Sequence, residues 1–409
     1  MSEREFDVVL WGATGFTGRL VAEHLLRRHG VGGDLSWAIA GRSQAKLADL
    51  RHDLGERAAQ LPLVLADADD QATLDAMAAR ARVVCTTVGP YALYGSKLVA
   101  ACVHYGTHYC DLTGEVQWMR RMIDIHHQRA EETGARIVHT CGFDSVPSDL
   151  GVLFLQQEMQ RRHDVTAIAV KFRARELRGG ASGGTVASML NMLDEAERDP
   201  SIRPLLEDPY GLNPAGERRG LDGPERKLPE YDSDFHGWVT PFLMAAINTK
   251  VVRRSHALMG FPYGRDFRYD EGMLIPFGGW GFPLAAGVSA GSAAFTAVAG
   301  IGAARRQLAR LLPQPGQGPS ARVRESGYYV IDLLGRHPHE PSAHLRVRVR
   351  GDGDPGYGST SKMLGEAAVC LAKDELTSPG GVLTPAVAMG DALLQRLPLH
   401  AGVTFELLE

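Results

Sequence analysis

The chain has 409 residues, of which 44% are hydrophobic and 22% charged, with a formal net charge of −4 at pH 7. That length supports a large core divided over two or three domains. The balance is that of an ordinary soluble protein with no basic excess to draw nucleic acid. Five cysteines (Cys85, Cys102, Cys110, Cys141, Cys370) form no C-x-x-C pair. Neither a metal site nor a disulfide framework is therefore expected, and scattered thiols fit a reducing cytoplasm. The opening MSEREFDVVLWG is charged and lacks the apolar stretch and small-residue cleavage site of a secretory signal.

FDVVLW (6–11) is a continuous apolar run, the pattern of a strand buried on both faces of a parallel sheet. Helical spacing follows over 17–28. Between them lies Gly12-x-x-Gly15-x-x-Gly18, the placement required of a dinucleotide turn. Glycine permits the sharp bend and lets a diphosphate approach the N–H groups of the helix start, and Thr14 and Thr17 add hydroxyls. Phe16 belongs to the same turn. SWAIAG (36–41), LPLVLAD (61–67), RVVCTTV (82–88), HYCDLTG (108–114) and ARIVHTC (135–141) continue as strands, with helices at 44–54, 71–81 and between the later strands. Six apolar runs alternating with helices predict an α/β fold whose first domain, 1–145, is a doubly wound parallel sheet of Rossmann type.

The end of the second strand selects the dinucleotide. An NAD site places an acid there, whereas this chain has Arg42, Ser43 and, one turn on, Lys46, which suit a 2′-phosphate. NADP(H) is the expected cofactor. Asp67 is expected beside the adenine, and Val88 and Gly89, with Pro90, beside the nicotinamide ribose.

From 146 to 383 the pattern changes, and a second α+β domain on a mixed sheet is expected for substrate binding or dimerisation. VTAIAVKFRAREL (165–177) reads as a strand, and the glycine-rich stretch 179–185 opens a helix through 193. The Pro-, Gly- and charge-rich stretch 199–240 is expected to form irregular loops or a lid. Lys250, Arg253, Arg254, Arg265 and Arg268 form a basic cluster suited to an acidic carrier protein, or solvated surface. Residues 277–304 contain no charged side chain over 28 positions, with seven glycines and nine alanines, and Arg305, Arg306 and Arg310 follow. That stretch reads as a buried or acyl-lining segment, with peripheral membrane contact through 277–310 and a homodimer interface as alternatives. After a linker at 313–320, 321–350 alternates as strands, with Arg346, Arg348 and Arg350 on one face. A helix runs from about 358 to 371, and a last one, 384–397, is expected to pack back on the first domain.

None of the eleven tyrosines is followed four residues later by lysine, so short-chain dehydrogenase chemistry is not expected, and H-E-x-x-H is absent. WGATGFTGRLVAEHL, TVGPYALYGSKLVAACVHYGTHYCDLTGE (87–115) and CGFDSVPSDLG (141–151) resemble the saccharopine dehydrogenase-like oxidoreductases. FGGWGFPL (277–284), PGQGPS (315–320), GDGDPGYGSTSKML (351–364) and GGVLTPAVAMG (380–390) resemble their trans-acting enoyl reductase branch. The resemblance implies NADPH-dependent reduction of an unsaturated acyl thioester. The acyl chain would sit on the acyl carrier protein of a polyketide synthase that lacks a working enoyl reductase module, in the making of waxy lipids. The resemblance supplies no catalytic residue. Enoyl reduction needs a donor near the thioester oxygen and an acid near the α-carbon. Tyr91, Tyr94, Asp111 and Asp144 follow the strands that face the nicotinamide; Tyr91 reads as proton donor or as a wall residue, and the two aspartates as active-site groups or loop anchors. An amino-acid or imine reductase and a non-catalytic NADP-binding, lipid-associated protein remain as alternatives.

Overall fold

The computed structural model describes residues 4–179, 183–275, 280–302, 304, 305, 307 and 318–408. Its first half runs β1 (Phe6–Trp11), α1 (Phe16–His29), β2 (Trp37–Gly41), α2 (Gln44–Asp53), β3 (Leu63–Leu65), α3 (Gln71–Arg80) and β4 (Ala81–Thr86). It continues through α4 (Tyr91–Tyr94), α5 (Ser96–Tyr105), β5 (His108–Cys110), α6 (Val116–Thr133) and β6 (Arg136–Val138). All six residues of β1 are buried, and Val9 pairs in parallel with Ala38 on one side and Val84 on the other. Val8 and Leu10 enter one apolar cluster, Val9 and Trp11 the other, so the sheet is covered on both faces. Each such side chain contributes about 1.5–3 kcal/mol by leaving water. This is why the apolar runs of the first 138 residues are continuous rather than alternating.

The chain goes on through α7 (Val146–His163), β7 (Ala169–Arg178), α8 (Gly183–Arg198), α9 (Ile202–Glu207), β8 (Glu230–Asp232), β9 (Gly237–Thr240), α10 (Ala245–Leu258) and β10 (Arg268–Ile275). Then come α11 (Gly281–Gly300), α12 (Ala321–Ser326), β11 (Tyr328–Arg336), β12 (Leu345–Asp352), α13 (Gly358–Lys373), β13 (Gly381–Leu383), α14 (Pro385–His400) and β14 (Val403–Leu408). The second sheet has the order β14-β12-β11-β7-β10-β9-β8 and is mixed: β7 and β10 are parallel, and the other neighbours antiparallel. Ile331 and Leu333 join the apolar core beneath α7, while Asp332 between them takes Arg348 at 2.6 Å and Arg175 at 2.8 Å. The arginine face of β12 is thus paired as well as wet.

The first sheet has the order β13-β6-β5-β4-β1-β2-β3, all parallel, so its seventh strand comes from residues 381–383. Helix α13 lies against α1, β1, β4 and β5. Residues 358–383, expected within the second domain, therefore build part of the first. Helix α14 touches α13 and β6 but also α7 and β14, and so lies between the two sheets rather than only on the first.

Three further expectations change. The stretch 199–240 supplies α9, the edge strand β8 and its neighbour β9, not only loops. Helix α10 was not foreseen, and twelve of its fourteen residues are buried. Helix α11, expected to be buried, is exposed along most of its length, with only Gly281, Ala285, Ser289 and Ala299 buried. Among the described residues it is the one helix long and apolar enough to cross a membrane by length and composition. Residues 276–279, 303, 306 and 308–317 of the apolar stretch and linker, and 180–182 of the second glycine-rich stretch, lie outside the described residues.

Candidate active site

Strand order reverses between β1 and β4, and the crevice at that switch point is where a parallel sheet binds its ligand. The turn after β1 supplies one wall. Gly12 has φ +85°, and a Cβ there would lie 2.6 Å from Val88 Cγ2; at Gly18 it would lie 2.2 Å from the Gly12 carbonyl oxygen. Only glycine allows the turn to pass β4 and the helix to seat on the strand. Thr87 fastens β4 to this turn through its N–H on Trp11 O (3.1 Å) and its hydroxyl on Gly12 O (3.2 Å). Gly15 caps α1 without a side chain, and no acid stands in the first turn. The first-turn N–H groups are thus left for an outside acceptor, with the positive end of the helix behind them. Thr14 and Gly15 are exposed, Phe16 and Thr17 partly so.

At the end of β2, Gly41 lies close to Thr14, bringing the second corner beside the first. Ser43 caps α2 by accepting from the Lys46 N–H at 3.4 Å. Arg42 and Lys46 are exposed, and among the described residues neither forms an ion pair. Two unneutralised cations beside an uncapped helix start fit NADP(H), whose extra phosphate needs them. Asp67 accepts from the Asp69 N–H at 3.1 Å in the turn leading to α3, and Val88 and Gly89 follow the end of β4. The two described cavities, about 320 and 230 Å³, lie on the second sheet and include no residue of this turn.

The strand ends beyond β4 sort the catalytic candidates. Tyr91 is buried, its ring stacked on Trp118 at 5.7 Å. Its hydroxyl accepts from the Leu112 N–H at 3.2 Å and donates to Thr86 O at 3.4 Å. Burial, with Asp111 nearby, pushes the phenol well above its usual value. Tyr91 is thus placed as a wall brace, and Tyr94 lies exposed at the other end of α4. Glu115 caps α4 by accepting from the Tyr91 and Ala92 N–H groups at 2.8 and 2.9 Å and from Ser188 Oγ at 2.8 Å.

Asp111 is fully buried and accepts four hydrogen bonds: Tyr109 OH (2.8 Å), His139 Nδ1 (2.7 Å), and the N–H groups of Thr113 (3.0 Å) and Thr140 (3.2 Å). It anchors the ends of β5 and β6. Asp144 is different. Part of the residue meets solvent, yet protein atoms surround its carboxyl densely enough for burial, and then the charge of Asp111, to push it up to about 7. Among the described residues no hydrogen-bond donor reaches it. Its loop is braced by α13: Thr360 Oγ1 accepts from the Phe143 N–H at 3.0 Å, and a Cβ on Gly142 would meet Thr360 Cγ2 at 2.9 Å. Behind it, Ser145 donates to Asn248 Oδ1 (3.2 Å), and Asn248 donates to Glu271 (3.0 Å), which burial raises to about 7.

The basic cluster, read as a carrier-docking patch or as solvated surface, divides: Arg265 and Arg268 are exposed and the other three are not. Lys250, Arg253 and Arg254 are buried on α10. Arg253 pairs with Asp222 at 2.6 Å, Arg254 donates to the Leu212 and Val382 carbonyls at 2.6 Å, and Arg265 pairs with Glu217 at 2.8 Å. Two G-x-S-x-G stretches give no hydrolase elbow: Ser289 lies inside α11 rather than in a strand-to-helix turn, and 180–184 is only partly described. What spacing did not reveal is that the C-terminal half reaches the turn. Tyr357 meets the Phe16 ring edge-on at 4.7 Å, the Arg324 guanidinium lies 5.3 Å from that ring, and Gly318 packs against it so closely that a Cβ would fall within 2.4 Å.

Residues 8–138 match the family model described as saccharopine dehydrogenase NADP binding domain. A protein of Mycobacterium tuberculosis, provisionally named a trans-acting enoyl reductase, is 47% identical, with 98% of this chain and 97% of the relative aligned. A trans-acting enoyl reductase of Mycobacterium bovis is 42% identical over 98% and 97% of the two chains. Among solved structures, apo saccharopine dehydrogenase (L-Glu forming) from Saccharomyces cerevisiae is similar at a TM-score of 0.49 and 12% identity, covering 98% of this chain and 99% of that one.

Proposed function

Because this chain belongs to the trans-acting enoyl reductase family, we propose that it reduces the carbon–carbon double bond of an acyl thioester with NADPH, in trans to the polyketide synthase that carries the acyl chain. The observation that carries the reading is a conjunction at one end of the first sheet. The uncapped start of α1 and the unpaired Arg42 and Lys46 stand on one side, and Asp144, a carboxyl near half-protonation at neutral pH, on the other.

NADPH, when bound, supplies the hydride. The N–H groups of Phe16, Thr17 and Gly18 would hold its diphosphate on the Gly12–Gly15 turn, and Arg42, Ser43 and Lys46 would hold the 2′-phosphate. Asp67 borders the adenine, Val88 and Gly89 border the nicotinamide ribose, and Tyr91 on Trp118 keeps that wall rigid. A hydride supplied to the β-carbon would leave the alkene electron pair on the thioester oxygen as an enolate, to be protonated at the α-carbon. Asp144 then gives its proton to the α-carbon and is reprotonated from water. An acid with pKa near the working pH is the one best suited to that step. Asp111, occupied by four donors, holds the strand ends that aim the loop.

The amino-acid or imine reductase reading needs free cations in the cleft for substrate carboxylates, and the arginines of α10 are already engaged by protein groups. The test is NADPH consumption by pure protein against enoyl thioesters of graded length, with α-keto acid plus amine mixtures in parallel. Turnover of thioesters alone is expected. Turnover only of keto acid plus amine would replace the reading with its rival, and tight NADPH binding without turnover of either would favour the scaffold.

A further inference from the structure

The elements beyond residue 317 that close on Phe16 carry a charge whose purpose the protein's own contacts do not explain. Phe16 is the first residue of α1, inside the diphosphate turn. Arg324, on α12, places its guanidinium 5.3 Å from the Phe16 ring centroid. Among the described residues its side chain makes one hydrogen bond, Nη1 to the Pro319 carbonyl at 2.7 Å, and no carboxylate pairs with it. It is half-buried, so its remaining donors are neither fully hydrated nor neutralised.

Its backbone is held firmly. The Arg324 carbonyl accepts from the Asp354 N–H at 2.9 Å, and a Cβ on Gly358 would lie 3.1 Å from the same oxygen. The loop that fixes Arg324 also carries Tyr357, the other ring on Phe16. A guanidinium without an ion pair among the described residues thus lies 5.3 Å from the ring of the first residue of α1, a helix whose start has no side-chain cap. Two like-signed features side by side are unfavourable unless an anion lies between them.

We propose that Arg324 is a cofactor-binding residue contributed from outside the dinucleotide domain, its guanidinium completing the diphosphate site at the start of α1. This rests on the NADP(H) reading above. Bound cofactor would then be held by groups from both halves of the chain, with the 318–326 segment already seated on the turn.

Arg324→Gln and Arg324→Lys in the full chain test it by calorimetry with NADPH and, separately, with 2′-AMP, which carries the 2′-phosphate but no diphosphate. Loss of a charge-assisted bond to phosphate should weaken NADPH binding by roughly ten- to a hundredfold in Arg324→Gln. Arg324→Lys should recover part of that, and 2′-AMP affinity should stay within about twofold of the wild type. A merely structural arginine would lower both ligands together or neither, and either result overturns the assignment. Wild-type protein that binds no NADPH would remove the cofactor reading itself. Unchanged NADPH affinity in Arg324→Gln would remove only this inference.

Discussion

At Asp144 and Asp111, two carboxyls one strand apart take opposite roles because of their donors. Four donors occupy Asp111, and among the described residues none reaches Asp144, whose pKa rises to about 7. Asp144→Asn should lower kcat by about 10²–10³-fold while leaving the Kd for NADPH nearly unchanged. The acid must be protonated to act, so wild-type kcat should fall as pH rises through about 7, and the variant should lose that limb. Stability has a sign of its own here. A carboxyl whose folded pKa is raised contributes stability below its unfolded value and loses it as pH rises through the folded one. Asp144→Asn should therefore melt no lower than wild type at pH 6 and higher at pH 8. A variant that loses activity and melts lower at both pH values would mark a structural aspartate instead. Tyr91→Phe, in contrast, removes a hydroxyl bonded only to main chain, and kcat should drop less than tenfold. Arg42→Asp places a negative charge where the 2′-phosphate is held, so the ratio of NADPH to NADH affinity should fall at least tenfold. An unmoved ratio would reassign the phosphate to other groups.

Among the elements, α1 and α13 show why some of the architecture was legible and some was not. The six early strands announce themselves because each is a short apolar run beside a helical period, with β1, β2 and β4 buried along nearly all their length. Strand β13 is only Gly381–Leu383, and its partner β6 lies over 240 residues earlier, so no local pattern records the pairing. Helix α10 was missed for a related reason. Lys250, Arg253 and Arg254 read as surface because their charge is local, while the acids and carbonyls that satisfy Arg253 and Arg254 are distant in sequence. In the site, the glycines of α1 were legible from spacing alone, and Arg324 and Tyr357 were not, because their relation to Phe16 exists only in three dimensions. Where α1 and α13 meet, Glu366 of α13 is fully buried, 2.7 Å from His24 Nε2 of α1 and 3.2 Å from Arg396 Nη1. Burial alone would push its carboxyl up, but hydrogen bonds from His24 and His29 hold it well below the usual range. Glu366→Gln leaves Arg396 half-buried with one acid fewer and should cost about 3–5 kcal/mol, or about 4–6 °C in Tm. A depressed carboxyl contributes stability above its unfolded pKa and loses it as pH falls. Burial also lowers the pKa of His24, so acidification removes stability at that residue too, beginning below 6.5. The difference in Tm between variant and wild type should accordingly shrink below about pH 4. A constant difference down to pH 3 would show that the pair holds α1 and α13 by packing rather than by charge.

The whole molecule does not divide where the sequence changes character. The first sheet needs α13 to cover Val8, Leu10, Cys85 and Cys110, and needs β13 to close its edge beyond β6. A fragment of residues 1–145 should therefore lack a fixed core, with helical circular dichroism but poor dispersion of its methyl NMR signals. A well-dispersed spectrum would show that the first domain is self-sufficient.

The same interlocking makes a prediction about cofactor binding. Because Gly318, Arg324 and Tyr357 rest on Phe16, a ligand at that turn touches both halves of the chain, and its binding free energy should stabilise them as one unit. At one hundred times its Kd, NADPH should add about 2.7 kcal/mol. For a chain of this length that corresponds to a rise of about 3 °C in Tm. Hydrogen exchange should slow not only over 9–20 and 40–47 but also over 318–326 and 353–362, while α11, which packs mainly on β9, α8 and β10, should exchange as before. Protection limited to the first two segments would mean that cofactor and second half meet the turn independently, and that closure over the nicotinamide waits for the acyl substrate.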